Sequence, residues 1–448
     1  MSLPGDAPSA PPDENSGSSG QLFRLAGAAF VVLAAEPLFV LVDTAVVGHL
    51  GPVPLAGLGI GGTLLSLVAM VGAFLDYGTT GRSARYFGAG NRSGAIDEGI
   101  TATILAGVLG LVAAAAGEIF AGPLIHLLAG GNRATAHAAL TWFRLAVLGL
   151  PGVLVVLAGN GWMRGVQDTR RPVRIVVGAN VASAVASPLL VYPAGLGLSG
   201  SALANLVAQT VGGALFVRAI HTEGRPWRPT WNRVRGQLVV GRDLLLREAG
   251  FQAAFLTAAG VAARMGTPQV AAHQVGYQLW ILIALVLDSF AIAAQSLVGA
   301  ALGGGDAAGA RRTAWRVGRY GLLAGCGAAA VLGAGWELIP RAFTSSAAVV
   351  HQTHLLWPFL VGMQPAAGIL FALDGVLIGA GDVAFMRNVT LAGALGVFVP
   401  LTLTSYFLHW GIAGVWAGLT GFIVARLVGM VGRALGTRWA VVGEVDRR

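Results

Sequence analysis

The sequence contains little charge and no lysine. Charged residues make up 11% of its 448 residues, against roughly 25% in soluble domains. This shortage excludes a soluble enzyme with a single core and a charge-rich disordered chain. Cys326 is the only cysteine, so no intramolecular disulfide and no Cys-based metal site can form. The eight histidines lack the spacing of metal ligands, and we expect neither a metal nor any other cofactor.

Apolar and small residues dominate instead. The hydrophobic set accounts for 55% of the chain, and 67 glycines add to it. This composition is typical of an integral membrane protein whose outer surface faces lipid. An apolar run of about 20 residues is long enough to cross a bilayer as a helix. We predict twelve such spans in an all-α protein: 22–48, 55–80, 98–124, 138–163, 175–193, 200–220, 243–263, 270–298, 320–338, 354–379, 389–407 and 413–432.

The positive charge, +9 overall, is distributed unevenly between the two sides of the predicted membrane. Of the 29 arginines, 21 fall on the side that carries both termini. By the positive-inside rule both termini are expected in the cytoplasm, with the chain in the inner membrane. The charge therefore marks orientation, and we expect no nucleic-acid partner. The other arginines are Arg133, Arg264 and Arg341 on the opposite side, and Arg24, Arg144, Arg218, Arg247 and Arg426 within spans.

The two halves of the chain resemble each other at an offset of 214–215 residues. The match includes Pro151 with Pro365, and 88–95 (GAGNRSGA) with 303–310 (GGGDAAGA). Six spans per repeat predict two pseudo-symmetric bundles with a cleft between them, an arrangement suited to alternating access. The expected units are a disordered cytoplasmic tail (1–21), an N-terminal lobe (22–220), an amphipathic cytoplasmic linker (221–242), a C-terminal lobe (243–432) and a cytoplasmic tail (433–448).

Acidic side chains inside the spans are rare. An ionisable group at the centre of a membrane helix costs roughly 2.5–3.5 kcal/mol on insertion scales. With no lysine and few arginines available, we expect most of these acids to face a cavity, bind a cation or be protonated, which is the chemistry of proton coupling. Asp76 and Glu118, near span ends, are expected to be solvated or to cap helices. Glu248 is expected either to pair with the adjacent Arg247 or to belong to a functional site.

Helical spacing groups further polar residues with these acids. Glu36 and Asp43 are seven residues apart and share one face of the first span. Interhelical hydrogen bonding is the alternative role for such stripes. We predict a coupling site at Asp43, Glu36 and Asn180. We predict a substrate cavity lined by Asp374, Asp288, Gln274, Tyr277, Gln278, Gln295, Ser183 and Ser187.

These segments resemble a known family. Residues 36–51 (EPLFVLVDTAVVGHLG) are similar to the first-span motif of the multidrug and toxic compound extrusion (MATE) family, in its DinF-like branch. The likeness continues at 271–274 (AAHQ), 293–299 (AAQSLVG) and 373–382 (LDGVLIGAGD), and covers about 22–435. It implies two six-helix lobes in a V shape. It also implies export of organic cations or toxic compounds against inward flow of protons or sodium.

The resemblance also implies roles for individual residues. Asp43 matches the first-span acid that is protonated in proton-driven members, and Asn180 matches an Asn of the fifth-span motif. Asp374 matches an acid that lines the C-terminal lobe in relatives. Ser183 and Ser187 stand where many members have a second Asn and an Asp, which leaves Asp43 as the main acid of the N-terminal lobe.

Three functions follow as hypotheses. The first is a monomeric antiporter that exports lipophilic, mainly cationic small molecules against protons or sodium, with membrane lipid as its surroundings. The second is a flippase for a lipid-linked precursor, whose pyrophosphate would need several basic residues inside the cleft. The third is a receptor or scaffold without transport. The glycines at 303–305 lack the Gly-Lys-Ser/Thr of a phosphate-binding loop, so the sequence indicates neither ATP-driven transport nor an enzyme.

Overall fold

The computed structural model describes residues 18–444, apart from the side chain of Val71. Helices joined by short connections make up this part of the chain, and it contains no strand. The predicted disordered tail lies outside the described residues as far as residue 17. Its last residues are helical, because the first helix begins at Ser19 with the Ser18 side chain capping it.

The N-terminal half forms six segments of membrane length. The second and the fourth are each divided into two helices. In chain order the helices are α1 (Ser19–Gly48), α2 (Pro52–Val71), α3 (Ala73–Gly88), α4 (Arg92–Leu128), α5 (Arg133–Val147), α6 (Leu150–Gly165), α7 (Arg170–Val191) and α8 (Leu198–His221).

The C-terminal half repeats this arrangement with local differences. A one-turn helix is added, and a π-helical segment, Ala394–Phe398, interrupts the eleventh span. The helices are α9 (Trp231–Met265), α10 (Thr267–Gly303), α11 (Ala307–Ala334), α12 (Leu338–Phe343), α13 (Ala347–Gly362), α14 (Gln364–Gly379), α15 (Val383–Gly393), α16 (Val399–Phe407) and α17 (Gly411–Leu435).

Twelve membrane-length segments result, as the sequence predicts. Nine continuous helical runs are long and apolar enough to cross a membrane, and the bent pairs α5–α6 and α13–α14 add two more. The twelfth is α9, whose 35 residues include Arg247, Glu248 and Gln252 in its middle. Most helices extend beyond the predicted spans because polar turns at their ends are also helical. The fifth and the ninth are exceptions at their far ends. The predictions reached 193 and 338, whereas α7 ends at Val191 and α11 at Ala334.

The internal repeat is visible in the packing. The two bent pairs turn by 49° and 50° at Pro151 and Pro365, which match each other in the repeat. Proline near the start of a helix removes a backbone donor and favours such a bend. The C-terminal ends of α3 and α10 also lie in close contact, and each helix places a glycine against the backbone of the other. A Cβ at Gly88 would overlap the carbonyl oxygen of Ala300, and one at Gly303 would overlap that of Arg85.

Five connections and the C-terminal segment carry most of the arginines, and they meet at one end of the molecule, which we call the basic end. Glu223, after α8, pairs with Arg92 at the start of α4 and with Arg171 at the start of α7. Arg85, near the end of α3, donates to the carbonyl of Ala380 after α14 at 2.6 Å. The lobes are in close contact at this end through α1, α3, α10 and α14.

The structure of residues 221–242 differs from the predicted amphipathic linker. Residues 222–230 contain no helix, but α9 begins at Trp231 and continues into the seventh span without a break. Gln237 is fully buried, and its amide donates to Glu98 of α4 at 2.7 Å. The second half of this segment is therefore part of the helical bundle, because its polar side chains find partners in the other lobe.

The predicted C-terminal tail also packs against the protein. Helix α17 ends at Leu435, and the Trp439 side chain that follows is 1% exposed. Arg85 donates to the carbonyls of Val441 at 3.1 Å and Gly443 at 3.0 Å. The described part of this segment therefore lies across the joint between the lobes at the basic end.

Candidate functional site

Asp43 lies inside the N-terminal lobe and is 3% exposed. One carboxylate oxygen accepts a hydrogen bond from Ser187 Oγ at 2.6 Å, and the other accepts from Ser201 Oγ at 2.7 Å. Ser201 in turn accepts from Trp142 Nε1 at 3.1 Å. Within residues 18–444 no basic side chain forms a salt bridge with Asp43. A carboxylate held by neutral hydroxyls can take up a proton without leaving a buried cation unpaired.

Glu36 lies seven residues before Asp43 on α1, or about two helical turns, and its side chain is exposed. With Asn180 and Ser183 it lines a cavity of about 50 Å³ between α1, α6, α7 and α8. The Asn180 amide donates to the Val176 carbonyl of its own helix at 3.0 Å. Since one water occupies about 30 Å³ in the liquid, this space suits one or two waters rather than an organic substrate. The structure therefore brings the three predicted coupling residues into one lobe, in two adjacent groups.

Asp374 lies on α14 of the C-terminal lobe, where the N-terminal repeat has Asn160, and its surroundings are strongly basic. Arg426 approaches both of its carboxylate oxygens, at 2.9 and 3.0 Å, and Arg247 approaches one at 3.0 Å. The Arg426 guanidinium also lies 4.6 Å from the ring centre of Phe251. Asp374 is 4% exposed. The expectation that acids inside the spans lack basic partners is wrong for this residue.

Two other expectations for span acids are also wrong. Asp76 is buried and forms a 2.6 Å salt bridge with Arg164, so it is neither solvated nor a cap. Arg247 forms its salt bridge with Asp374 rather than with the adjacent Glu248. Both pairs join residues that are far apart in sequence, and sequence adjacency gave no indication of them. Glu118 lies nearer the surface, 3.7 Å from Arg144.

The polar stripe predicted on α10 divides into two parts. Towards the start of the helix, Gln274 and Gln278 are exposed, and Tyr277 packs edge-on against Phe255 with ring centres 5.2 Å apart. Asp288 and Gln295, further along, contact α3 of the other lobe. Gln295 is fully buried there, so the structure places it in the contact between the lobes rather than on a cavity wall.

Of the residues predicted to line a substrate cavity, four have partners within the protein instead. Asp374 is held by two arginines, Ser187 by Asp43, Asp288 by Tyr77, and Gln295 by the backbone of α3. Ser183 lines the small cavity beside Glu36, and its hydroxyl has no hydrogen-bond partner in the described structure. The remaining three, Gln274, Tyr277 and Gln278, lie on α10 with exposed or half-buried side chains.

Several residues that build these sites gave no signal in the sequence. Ser201 and Trp142 look like ordinary span residues, and only the packing of α5 and α8 brings them to Asp43. Arg426 could have been found, because a basic residue in the middle of a membrane helix needs a buried partner. The sequence could not show that this partner is Asp374, 52 residues earlier.

Comparison with known proteins agrees with this architecture. The family model described as MatE matches residues 28–189 and 245–404. The chain belongs to the multidrug and toxic compound extrusion (MATE) family. Protein DETOXIFICATION 44, chloroplastic, of Arabidopsis thaliana is 31% identical over 95% of this chain and 84% of its own length. DNA damage-inducible protein F of Escherichia coli (strain K12) is 32% identical over 87% of this chain and 86% of its own length.

Solved structures show the same fold. A crystal structure of MATE in the bent conformation superposes with a TM-score of 0.85 at 21% identity, covering 92% of this chain and 94% of that one. A MOP superfamily transporter from Pyrococcus furiosus gives a TM-score of 0.84 at 20% identity, covering 93% and 96%. The MATE chain described here is thus a multi-pass membrane protein with twelve helices in two bundles, in a family of multidrug and toxic compound efflux transporters.

Proposed function

We propose that this protein exports lipophilic, mainly cationic organic compounds from the cell in exchange for protons, by alternating access. Membership of an efflux family supports export of small molecules. The observation that carries the coupling is the setting of Asp43, a buried carboxyl group bonded to two hydroxyls and to no cation. Such a group can gain and lose a proton within the folded protein.

The arginine distribution supports an orientation. Because the basic end carries most of the arginines, we place it in the cytoplasm, with both termini. The lobes are packed together at that end, through Gly88, Gly303 and the C-terminal segment. In this orientation the structure corresponds to a state that is closed to the cytoplasm, from which a proton would arrive through the opposite side.

Coupling would act through α1. Ionised Asp43 uses both oxygens to accept from Ser187 and Ser201, whereas a protonated carboxyl must donate with one of them. Protonation therefore changes the bonds that join α1 to α7 and α8. Pro37, six residues before Asp43, removes the backbone hydrogen bond to the Leu33 carbonyl of α1 and favours bending there. A ligand shifts such an equilibrium only through different affinities for the two states, and the Asp43 charge supplies that difference for a cation.

The substrate would occupy the space between the lobes rather than the small cavity beside Glu36. A drug-sized ligand needs a site of about 300–1,000 Å³, far larger than the 50 Å³ available there. The partly exposed face of α10 with Gln274 and Gln278 offers polar contacts on an otherwise apolar wall. Apolar walls with a few carboxyl groups suit amphipathic cations.

The structure does not favour the flippase alternative. Three arginines of the helical bundles that a pyrophosphate could use are each already paired with an acid. Arg164 pairs with Asp76, while Arg247 and Arg426 both pair with Asp374. A pyrophosphate would have to displace those carboxylates.

The test is dye efflux from proteoliposomes under an imposed pH gradient and then a sodium gradient. We expect efflux with the pH gradient and its loss in Asp43→Asn. The matched control is Asp306→Asn, which removes an exposed carboxylate at a helix cap where the other repeat has Asn91. Efflux under the sodium gradient alone would assign sodium as the coupling ion. Undiminished gradient-driven efflux in Asp43→Asn would refute the proposal.

A further inference from the structure

Tyr77 of α3 is held at two points by α10 of the other lobe. Its hydroxyl donates to Asp288 Oδ2 at 2.8 Å, and its carbonyl oxygen accepts from the Gln295 side-chain amide. We call these three residues the Tyr77 clasp. Two turns of α10 separate Asp288 from Gln295, so the clasp fixes both the position and the orientation of α3 against α10. Ser296 adds a 2.7 Å bond to the Arg164 carbonyl beside it.

Unlike Asp76 and Asp374, Asp288 has no basic partner within salt-bridge distance among the described residues. The charged groups that face it are Asp76, Arg164 and Arg247. Asp76 and Arg164 are paired with each other, and Arg247 is paired with Asp374. The hydroxyl of Tyr77 is therefore the only side-chain donor within hydrogen-bond distance of Asp288 in the described structure. Asp288 is half-buried, so part of its side chain is exposed at the surface of the described structure.

We propose that Asp288 is a second proton acceptor of this transporter and that the Tyr77 clasp transmits its protonation to the contact between the lobes. The inference rests on the proposed proton-coupled export and adds a positioning role in the C-terminal lobe. The proton moves from water in the cleft to a carboxylate oxygen of Asp288, and no other bond is made or broken covalently.

The direction of the effect follows from hydrogen-bond strength. A hydroxyl bonded to an ionised carboxylate forms a bond roughly twice as strong as one between neutral groups. Ionised Asp288 therefore holds α3 firmly against α10, and protonated Asp288 holds it weakly. A proton that arrives through the open side loosens the closed basic end. That is the step that an antiporter requires after substrate has left on the far side.

The experiment measures opening directly, without transport. Spin labels are placed at Ser93→Cys and Ala308→Cys in a Cys326→Ser background, and their distance is measured in nanodiscs across pH. These exposed positions match each other in the repeat and lie on different lobes at the basic end. We expect one short distance at high pH, and a longer one whose population rises about tenfold on acidification.

Two variants separate proton binding from packing. Asp288→Asn is expected to show the longer distance at every pH, because the neutral amide cannot hold a charge-assisted bond. Asp288→Glu is expected to restore a pH response with a changed midpoint. Tyr77→Phe is expected to show the longer distance at every pH as well. Tyr192→Phe is the matched control, since its hydroxyl bonds to Val46 within one lobe, and it should behave as the parent.

The outcomes are distinct from those of the efflux test. A pH response that survives unchanged in both Asp288→Asn and Tyr77→Phe would overturn the clasp, even if Asp43→Asn abolishes efflux. Loss of the response in these variants, with efflux in Asp43→Asn intact, would support the clasp and refute the assignment of Asp43. A longer distance in Tyr192→Phe would show a general effect of hydroxyl removal and would also overturn the proposal.

Discussion

Each lobe contains a buried acid, and the two acids are held in opposite ways. In the N-terminal lobe, within the described residues, Asp43 is bonded only to the hydroxyls of Ser187 and Ser201. In the C-terminal lobe Asp374 is clamped between Arg247 and Arg426. Removing the charge of a carboxylate between two buried cations leaves those cations without a counter-charge, whereas a carboxylate bonded to hydroxyls has no such cation beside it. The comparison teaches that the partners of a buried acid, and not its burial alone, set what it costs to remove its charge.

The largest expected effect is that of Asp374→Asn on stability. This change leaves two arginine side chains buried without their counter-charge, and breaking a buried pair in this way costs about 3–5 kcal/mol. Thermal unfolding in detergent should show a markedly lower melting temperature than for the parent protein. An unchanged melting temperature would mean that the two arginines have other partners and would remove the contrast between the lobes.

The two arginines should not contribute equally. Arg426 is 1% exposed, contacts both oxygens of Asp374 and donates to Thr390, whereas Arg247 is 15% exposed and makes one contact. We expect Arg426→Gln to lower the free energy of unfolding by about 2–3 kcal/mol, and Arg247→Gln by roughly half as much. The same unfolding measurement checks both variants. Equal losses would show that the clamp is symmetric.

On the N-terminal side, two serines on α7 provide a matched pair. Both are buried, but only Ser187 donates to Asp43, while the Ser183 hydroxyl has no partner. Ser187→Ala should reduce gradient-driven efflux by about tenfold, because it removes one of two donors to a buried carboxylate. Ser183→Ala should remain close to the parent. The reverse order of activities would indicate that the Glu36 cavity, rather than the Asp43 site, governs coupling.

The smallest expected effect is that of Asp43→Asn on stability. The amide oxygen can still accept from one serine and the amide nitrogen can donate to the other, and no cation is left unpaired. The loss should be below about 1 kcal/mol, against the large loss predicted for Asp374→Asn. Measuring both variants in the same detergent tests the contrast directly. Similar losses for the two variants would show that the lobes do not differ in the way described.

Much of the fold could be predicted from the sequence, because a helix that spans a membrane requires a long run of apolar residues, and such runs are visible in the sequence. The repeat at 214–215 residues led to the two bundles, and the structure reproduces it in the matched bends at Pro151 and Pro365. Helix ends were less accurate. Trp231 begins α9 eleven residues before the predicted linker ends, since amphipathic residues can continue a helix when a neighbouring lobe covers them.

The candidate functional site could be predicted from the sequence only in part. Helical spacing placed Glu36 and Asp43 on one face, and Asp43, Ser187 and Ser183 do lie in one lobe. Spacing could not assign partners across helices, because a hydrogen bond or ion pair depends on how two helices are placed against each other. For that reason Asp76 and Asp374 were expected to lack cations that the structure provides, and Ser201 was not considered.

The sequence by itself determined that this chain is a twelve-span membrane protein with an internal repeat and few buried acids. Composition, periodicity and repeats depend only on the order of residues along the chain, so no knowledge of helix packing is needed to find them. Only the tertiary structure decided which of those acids are neutralised by arginine and which are not. Helix packing sets the distance between charges, and in a low-dielectric interior that distance controls whether a carboxyl group is an ion pair or a proton acceptor. In this structure Asp374 and Asp76 are paired with arginines, whereas Asp43 and Asp288 are bonded to hydroxyl groups.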